Sequence, residues 1–347
     1  AGALSATLCL TATLAQTNSV TLPAGYAVGA DLSFLKQEED KGLAFKENGK
    51  AKPGLQIFKD HGYNWIRLRL FHSPTDLPNN LDYTIALAKE AKKLGFKFLL
   101  NYHYSDTWAD PGRQDIPKAW IGKSHAQLVD AVFEYTRDTM IAFRKAEVFP
   151  DMVQIGNEVI AGMLWPDGKV PDHWDNFADM VKAGIKGVDA ARGTAARPRI
   201  MVHIDRGGNK GATKWYFDKL HSYQLDYDVM GQSFYPWWHG SLDDLRDNLN
   251  FMATEYKKDI MLVEVAYCWR PTEYNKGKAG PFPETPAGQK DFLDQVNRIV
   301  LNVPNSRGIG IFWWEPAVTG HLRNRSFFND DNNVLPAINV FDGVTRK

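Results

Sequence analysis

Eight short apolar segments, at residues 26–31, 65–71, 97–103, 152–157, 200–205, 229–235, 260–265 and 309–314, alternate with amphipathic stretches along most of the chain. Several are continuous apolar runs, the pattern of a parallel strand covered on both faces. The stretches between them carry helical spacing. Asp82 to Leu94 sets Ile85, Ala88 and Leu94 near one face before Gly95 stops the run. Ser124 to Gln127 has capping-box spacing ahead of Leu128, Val132 and Tyr135. Trp174, Phe177, Val181 and Val188 repeat at helical intervals; Ser241 precedes Leu242, Leu245 and Leu249; and Thr285-Pro286 opens a run bearing Phe292, Val296 and Ile299. Eight such units over about 320 residues predict an α/β protein, a single (β/α)8 TIM barrel. A doubly wound sheet would favour a Gly-rich phosphate turn, and Gly207-Gly208 lacks that spacing.

In a barrel the chemistry sits at the C-terminal strand ends, and here those ends are polar. The first strand ends in Asp31 and the second holds Arg67 and Arg69. The third ends Asn101-Tyr102-His103-Tyr104-Ser105-Asp106 and the fourth Gln154-Ile155-Gly156-Asn157-Glu158. The fifth closes on His203-Ile204-Asp205, the sixth on Gln232-Ser233-Phe234-Tyr235, the seventh on Glu264 and the eighth on Trp313-Trp314-Glu315. Half-buried polar groups cost free energy unless they are used. Glu158 and Glu264 stand 106 residues apart, about 35 per unit across three βα units, so strands four and seven can aim both carboxyls at the barrel mouth. A converging pair is what glycosidic cleavage needs, one neutral acid for the leaving oxygen and one anion for the anomeric carbon.

Charge and composition agree. The chain of 347 residues carries 41 basic and 41 acidic side chains, a formal net charge of +0, which excludes the footprint of a nucleic-acid binder or a polybasic membrane protein. It also holds 11 Trp, 13 Tyr and 19 Phe, rings able to stack on the C–H face of a sugar. Two cysteines, Cys9 and Cys268, make no disulfide framework and no CxxC metal spacing. An apolar stretch over residues 4–15, followed by Gln16-Thr17-Asn18-Ser19, resembles the end of a secretory signal. The expectation is a signal-peptide remnant at 1–16, a catalytic barrel at 17–347, and a secreted protein, extracellular or periplasmic. With no run of about 18 apolar residues, no membrane span is expected.

With these residues in place, the chain resembles the clan of retaining (β/α)8 glycosidases, marked by Asn-Glu on strand four and Glu on strand seven. More narrowly it is similar to the endo-β-1,4-galactanases of glycoside hydrolase family 53. The motifs are GADLS at 29–33, NYHYSDTWADPGRQ at 101–114, QIGNE at 154–158, HIDRGGN at 203–209, GQSFYPWWHG at 231–240, VEVAY at 263–267, TPAGQKDFL at 285–293, FWWEP at 312–316 and LPAINVF at 335–341. The resemblance implies that Glu158 is the acid/base and Glu264 the nucleophile of a double displacement. It implies that Asn157 binds the sugar 2-hydroxyl, that Tyr235 holds the nucleophile, and that Trp314 floors the reacting sugar. Arg67 is implied as the cation beside Glu264, with Arg69 on the same strand face as the alternative. Asp31, Arg69, His103, Asp106, Trp108, His203, Asp205, Trp237, Trp238 and Trp314 are the candidate substrate contacts.

The expected partner is a polysaccharide, β-1,4-galactan or type I arabinogalactan, bound by a monomer; a mannanase or cellulase is the alternative, and a non-catalytic sugar-binding barrel ranks last because both glutamates are present. No cofactor is expected. Bacterial relatives can hold a calcium near the last loops, but residues 320–333 lack EF-hand spacing and read as a solvated turn.

Overall fold

The structure is a computed structural model that describes residues 21–346 except 276 and 279. The expected signal remnant at 1–16, Cys9 included, lies outside the described residues. Eight parallel strands close into a barrel: β1 (Ala27–Asp31), β2 (Trp65–Leu70), β3 (Lys97–Tyr102), β4 (Met152–Ile155), β5 (Arg199–Ile204), β6 (Val229–Phe234), β7 (Asp259–Val265) and β8 (Gly308–Trp314). Each pairs with its sequence neighbours, and β8 pairs with β1, so the strand order follows the chain. Seven helices alternate with them: α1 (Gly54–Asp60), α2 (Leu81–Lys93), α3 (His125–Lys145), α4 (Trp174–Ala191), α5 (Lys210–His221), α6 (Leu242–Glu255) and α7 (Pro286–Leu301). After β8 the eighth helical place is taken by a 3-10 segment, Pro336–Phe341, which packs on α7.

Helix starts follow local chemistry. Ser124 caps α3 and Ser241 caps α6, each with a reciprocal capping box, while Thr285 caps α7 ahead of Pro286. The capping supplies partners for first-turn N–H groups that would otherwise face loops unpaired.

Apolar burial is split in two. The larger core lies between strands and helices, and a smaller one fills the barrel interior with Ala27, Trp65, Leu99, Met152, Met201, Val229, Met261, Val263 and Phe312. Two residues up from that inner plug stand Arg67, Asn101, Gln154 and His203, and four residues up stand Asp31, Arg69 and Ser233, all buried. The lower interior is therefore greasy and the upper interior polar. Gly29 makes room for the plug: a Cβ there would lie 2.2 Å from the Phe312 ring.

Strand β7 breaks the two-residue period. In its pairing with β6, Gln232 faces Leu262 but Ser233 faces Glu264, and its pairing with β8 shifts in the same stretch. Val263 is the extra residue of this β-bulge. It leaves Glu264 on the inner face, where strict alternation from Met261 would send it outward.

Candidate active site

A cleft of about 1030 Å³ opens at the C-terminal ends of the strands, lined among others by Arg67, Asn157, Glu158, Asp205, Tyr235, Glu264 and Trp314. One oxygen of Glu158, one of Glu264 and a ring nitrogen of His203 lie within 4.8 Å of one another. The two glutamates arrive by different backbone devices. Glu264 is turned inward by the β7 bulge. Glu158 follows a tight turn after β4 in which Gly156 has φ 78° and Glu158 itself has φ 47°. A Cβ on Gly156 would also meet Val159 Cγ1 at 2.6 Å, so glycine is required there for both conformation and space.

Glu264 is held at both oxygens. Arg67 Nη1 lies 2.7 Å from Oε1, and Tyr235 donates its hydroxyl to Oε2 at 2.9 Å. Arg67 also donates to Asp31 at 2.9 Å, to Asn157 Oδ1 at 2.9 Å and to Gln154 Oε1 at 3.1 Å. Burial disfavours the guanidinium charge, but Glu264 and Asp31 outweigh it and raise the Arg67 pKa. The choice between the two arginines is thereby decided by geometry. Arg69 turns instead to Glu315 and lies over the rings of Phe34 and Trp108, 4.7 and 4.5 Å from their centroids.

Glu158 has the opposite environment. Its listener is a hydroxyl: Ser233 donates to Oε1 at 2.6 Å. Burial first, then the charges of Glu264 and Asp205, push its pKa well above the usual carboxylate range. Two carboxyls in one site thus differ, one facing a cation and a phenol, the other with its charged form disfavoured by burial and like charge. Asp205, at the end of β5, is pushed up to about 7 by burial and pairs with Arg206, while its Oδ1 is buried with no hydrogen-bond partner among the described residues.

The remaining expected contacts divide into three groups. Asn157, His103, Trp108, Trp237, Trp238, Trp314 and Arg69 line the cleft. Trp237 stacks on Tyr267, and Trp238 stands at the rim with 51% exposure. Asn157 Nδ2 gives a hydrogen to the Ala109 carbonyl at 2.8 Å and has a second to give. His203 is fully buried behind Glu158 and accepts at Nδ1 from the Glu158 amide. Asp31 and Asp106, also expected as substrate contacts, are not among the residues that line the cleft. Asp31 is fully buried and occupied by Arg67 and Ser33. Asp106 holds the loop backbone instead, accepting from the amides of Ser73 and Lys118. A carboxylate near a strand end is as well suited to pinning a loop or neutralising an arginine as to meeting a sugar, and sequence alone does not separate these uses.

Ser233, Gln154, Phe34, Glu315 and Arg325 were not among the expected site residues. Arg325 lies 5.0 Å from the Trp314 ring centroid, over one face. For Gln154 and Ser233 a signal existed, since both fall on the inward period of their strands, two residues above Met152 and four above Val229. Glu158, His203 and Glu264 are close enough to share a metal ion, but both His203 nitrogens are engaged by protein hydrogen bonds and Arg67 already sits as the cation on Glu264. In the last loops Asp330 pairs with Arg270 and Asn332 with Arg323, which directs these oxygens at arginines.

The profile of glycosyl hydrolase family 53 matches residues 27–341. An arabinogalactan endo-β-1,4-galactanase of Humicola insolens is 35% identical over 332 residues, covering 91% of this chain and 98% of that protein. The structure of the Ignisphaera aggregans GH53 catalytic domain superposes with a TM-score of 0.87 at 31% identity, covering 93% of this chain and 97% of that one. A fungal β-1,4-galactanase structure gives a TM-score of 0.84 at 33% identity, covering 92% of this chain and all of the other (100%).

Proposed function

The chain belongs to glycosyl hydrolase family 53, and from that premise we propose that it is a secreted endo-β-1,4-galactanase acting with retention of anomeric configuration. The observation that carries the mechanism is the approach of Glu158 and Glu264 within 4.8 Å. Retaining enzymes separate their carboxyls by about 5–5.5 Å, whereas inverting enzymes leave about 6.5–9.5 Å for a water between them.

In the first step a Glu264 oxygen attacks the anomeric carbon as the glycosidic C–O bond breaks, and the Glu158 proton passes to the departing oxygen. A covalent galactosyl ester on Glu264 and the shortened chain result. In the second step Glu158, now a carboxylate, takes a proton from water while the water oxygen displaces Glu264. Arg67 and the Tyr235 hydroxyl hold both oxygens of Glu264 and aim the carboxyl. The spare Asn157 amide hydrogen suits the 2-hydroxyl, and Trp314 offers a face to the sugar ring. Trp237, Trp238 and the unspent Asp205 oxygen extend the contacts to neighbouring sugars. Two carboxyls supply both acid and nucleophile, so the reading requires no metal or cofactor. All the groups named come from one chain, which fits a working monomer. No helix among the described residues is long and apolar enough to cross a membrane, and a polymeric substrate requires an enzyme outside the cell.

The test is digestion of potato-type β-1,4-galactan beside mannan and carboxymethylcellulose, with product sizes followed in time. Early release of mixed oligosaccharides from galactan alone is expected. Equal or greater cleavage of mannan would replace the substrate assignment. Azide restoring turnover to Glu264→Ala, with a galactosyl azide as product, is expected for the nucleophile; undiminished activity of that variant would remove it from the role.

A further inference from the structure

Behind Glu158 lies a chain of hydrogen bonds that the double displacement does not by itself require. It runs from Arg67 through Gln154, His203 and Ser233 to Glu158, with separations of 3.1, 3.1, 2.8 and 2.6 Å. Its direction follows from which groups are able to donate. Arg67 is a donor only, so it fixes the Gln154 Oε1 end; the Gly156 carbonyl is an acceptor only, so at 2.9 Å it fixes the Nε2 end. Gln154 Nε2 has two hydrogens and four acceptors in reach: Asn101 Oδ1 at 2.7 Å, the Gly156 carbonyl at 2.9 Å, and Asn157 Oδ1 and His203 Nδ1 at 3.1 Å each. The acceptor role of His203 Nδ1 is therefore fixed by the Glu158 backbone amide at 3.4 Å, which can only donate. Nδ1 must be the bare nitrogen, and in a neutral ring the proton sits on Nε2. That N–H donates to Ser233 Oγ, leaving the serine proton for Glu158 Oε1, its acceptor among the described residues.

We propose that His203 and Ser233 are positioning residues for the acid/base: the chain from the Glu158 amide through His203 and Ser233 reserves Oε1 of Glu158 as an acceptor, so that the proton delivered to the leaving group is carried by Oε2. The arrangement serves both steps, because the Ser233 donor also stabilises the carboxylate that forms when the proton leaves. A neutral His203 is required, and burial, then the charges of Arg67, His103 and His239, do lower its pKa well below the usual value. The charged groups acting on Glu158 itself come from three other elements: Glu264 on β7, Asp205 after β5 and Asp110 in the loop after β3.

The proposal rests on Glu158 being the acid/base, and the experiment separates the two. kcat/KM is measured against pH for Ser233→Ala, Ser233→Thr, His203→Ala, His203→Gln and Glu158→Gln, on galactan and on a dinitrophenyl β-1,4-galactobioside whose leaving group needs no protonation. Loss of the Ser233 donor removes a bond favouring the anion, so in Ser233→Ala the alkaline limb should move up by about one pH unit. The loss should be about tenfold on galactan and under about twofold on the aryl substrate. Ser233→Thr keeps the hydroxyl and His203→Gln keeps a donor near Nε2, so both should recover most of the activity lost by their alanine counterparts. Equal losses on both substrates with an unmoved limb in Ser233→Ala would overturn the proposal, leaving a merely structural serine. If Glu158→Gln discriminates between the substrates and Ser233→Ala does not, the chain fails while the acid/base assignment stands. If Glu158→Gln loses equally on both, the assignment itself falls, and the chain's role with it.

Discussion

Arg67 is the residue on which most of the site depends. It is buried against two carboxylates, Asp31 and Glu264, and two amides, Gln154 and Asn157. A buried charge cluster of this kind gives little net stability when intact and is costly to break. Glu158 is the counterpart whose charge is disfavoured. Its folded pKa is raised above the unfolded value of about 4.3, so its contribution to stability is complete below that pH and is lost as pH rises through the folded pKa. Glu158→Gln removes the titration and should melt about 2–4 °C above the parent in alkaline buffer, with the difference shrinking towards pH 4. Scanning calorimetry across that range checks it, and a difference that grows towards acid would contradict the assigned environment. The same variant should lose about 10²- to 10⁴-fold in kcat/KM on galactan. In the parent, kcat/KM should fall on the alkaline side at a pH above the usual carboxylate range, as Glu158 gives up its proton.

At the scale of elements, ordinary strand geometry does not bring both glutamates inward. The β7 bulge adds Val263 and so returns Glu264 to the inner face; the left-handed turn at Gly156 and Glu158 bends the end of β4 over the cleft. Gly156→Ala should therefore cost about 1–2 kcal/mol, from a disfavoured φ and the Val159 contact. It should also lower kcat by up to about 100-fold, because Asn157 and Glu158 move with the turn. Urea unfolding and galactan kinetics on one preparation read both effects. Ser124→Ala is the control on the outer ring. Loss of the α3 cap should cost about 1 kcal/mol and leave kcat unchanged, since capping acts on the helix end and not on the cleft. A substantial fall in kcat for Ser124→Ala would mean that the ring and the barrel mouth are coupled.

For the molecule as a whole, the balanced charge fits a neutral polymer. With a formal net charge of +0 there is no long-range field to steer substrate, and the cleft holds it through rings and hydrogen bonds. kcat/KM on galactan should change less than about twofold between about 0.01 and 1 M NaCl, over which the Debye length falls from about 30 to 3 Å. A steep decline with salt would point to an acidic or otherwise charged substrate. The barrel also explains why residues far apart in sequence cooperate. Closure sets β4 and β7 across one mouth, so groups from β2 and from β4 to β8 meet above a single apolar plug.

The alternation of apolar and amphipathic segments was sufficient to give the eight strands, their bounds to within one or two residues, and the barrel, because the hydrophobic period is local and the closed parallel sheet is a common way to bury it. The strand-end motifs likewise brought forward Glu158, Glu264, Arg67, Tyr235 and Trp314 as residues of one cleft. Which polar group meets which lay beyond the sequence. Arg67 and Arg69 share a strand face and differ only in what the neighbouring strands present. Asp31 and Asp106 have strand-end positions as promising as that of Asp205, yet one neutralises an arginine and the other ties a loop. The bulge at Val263 is set by the registers of β6 and β8 against β7, and the direction of the His203–Ser233–Glu158 chain by donors at the ends of β4, β5 and β6. Each of these is a contact between residues distant in sequence, fixed only when the closed barrel forces their backbones into one register.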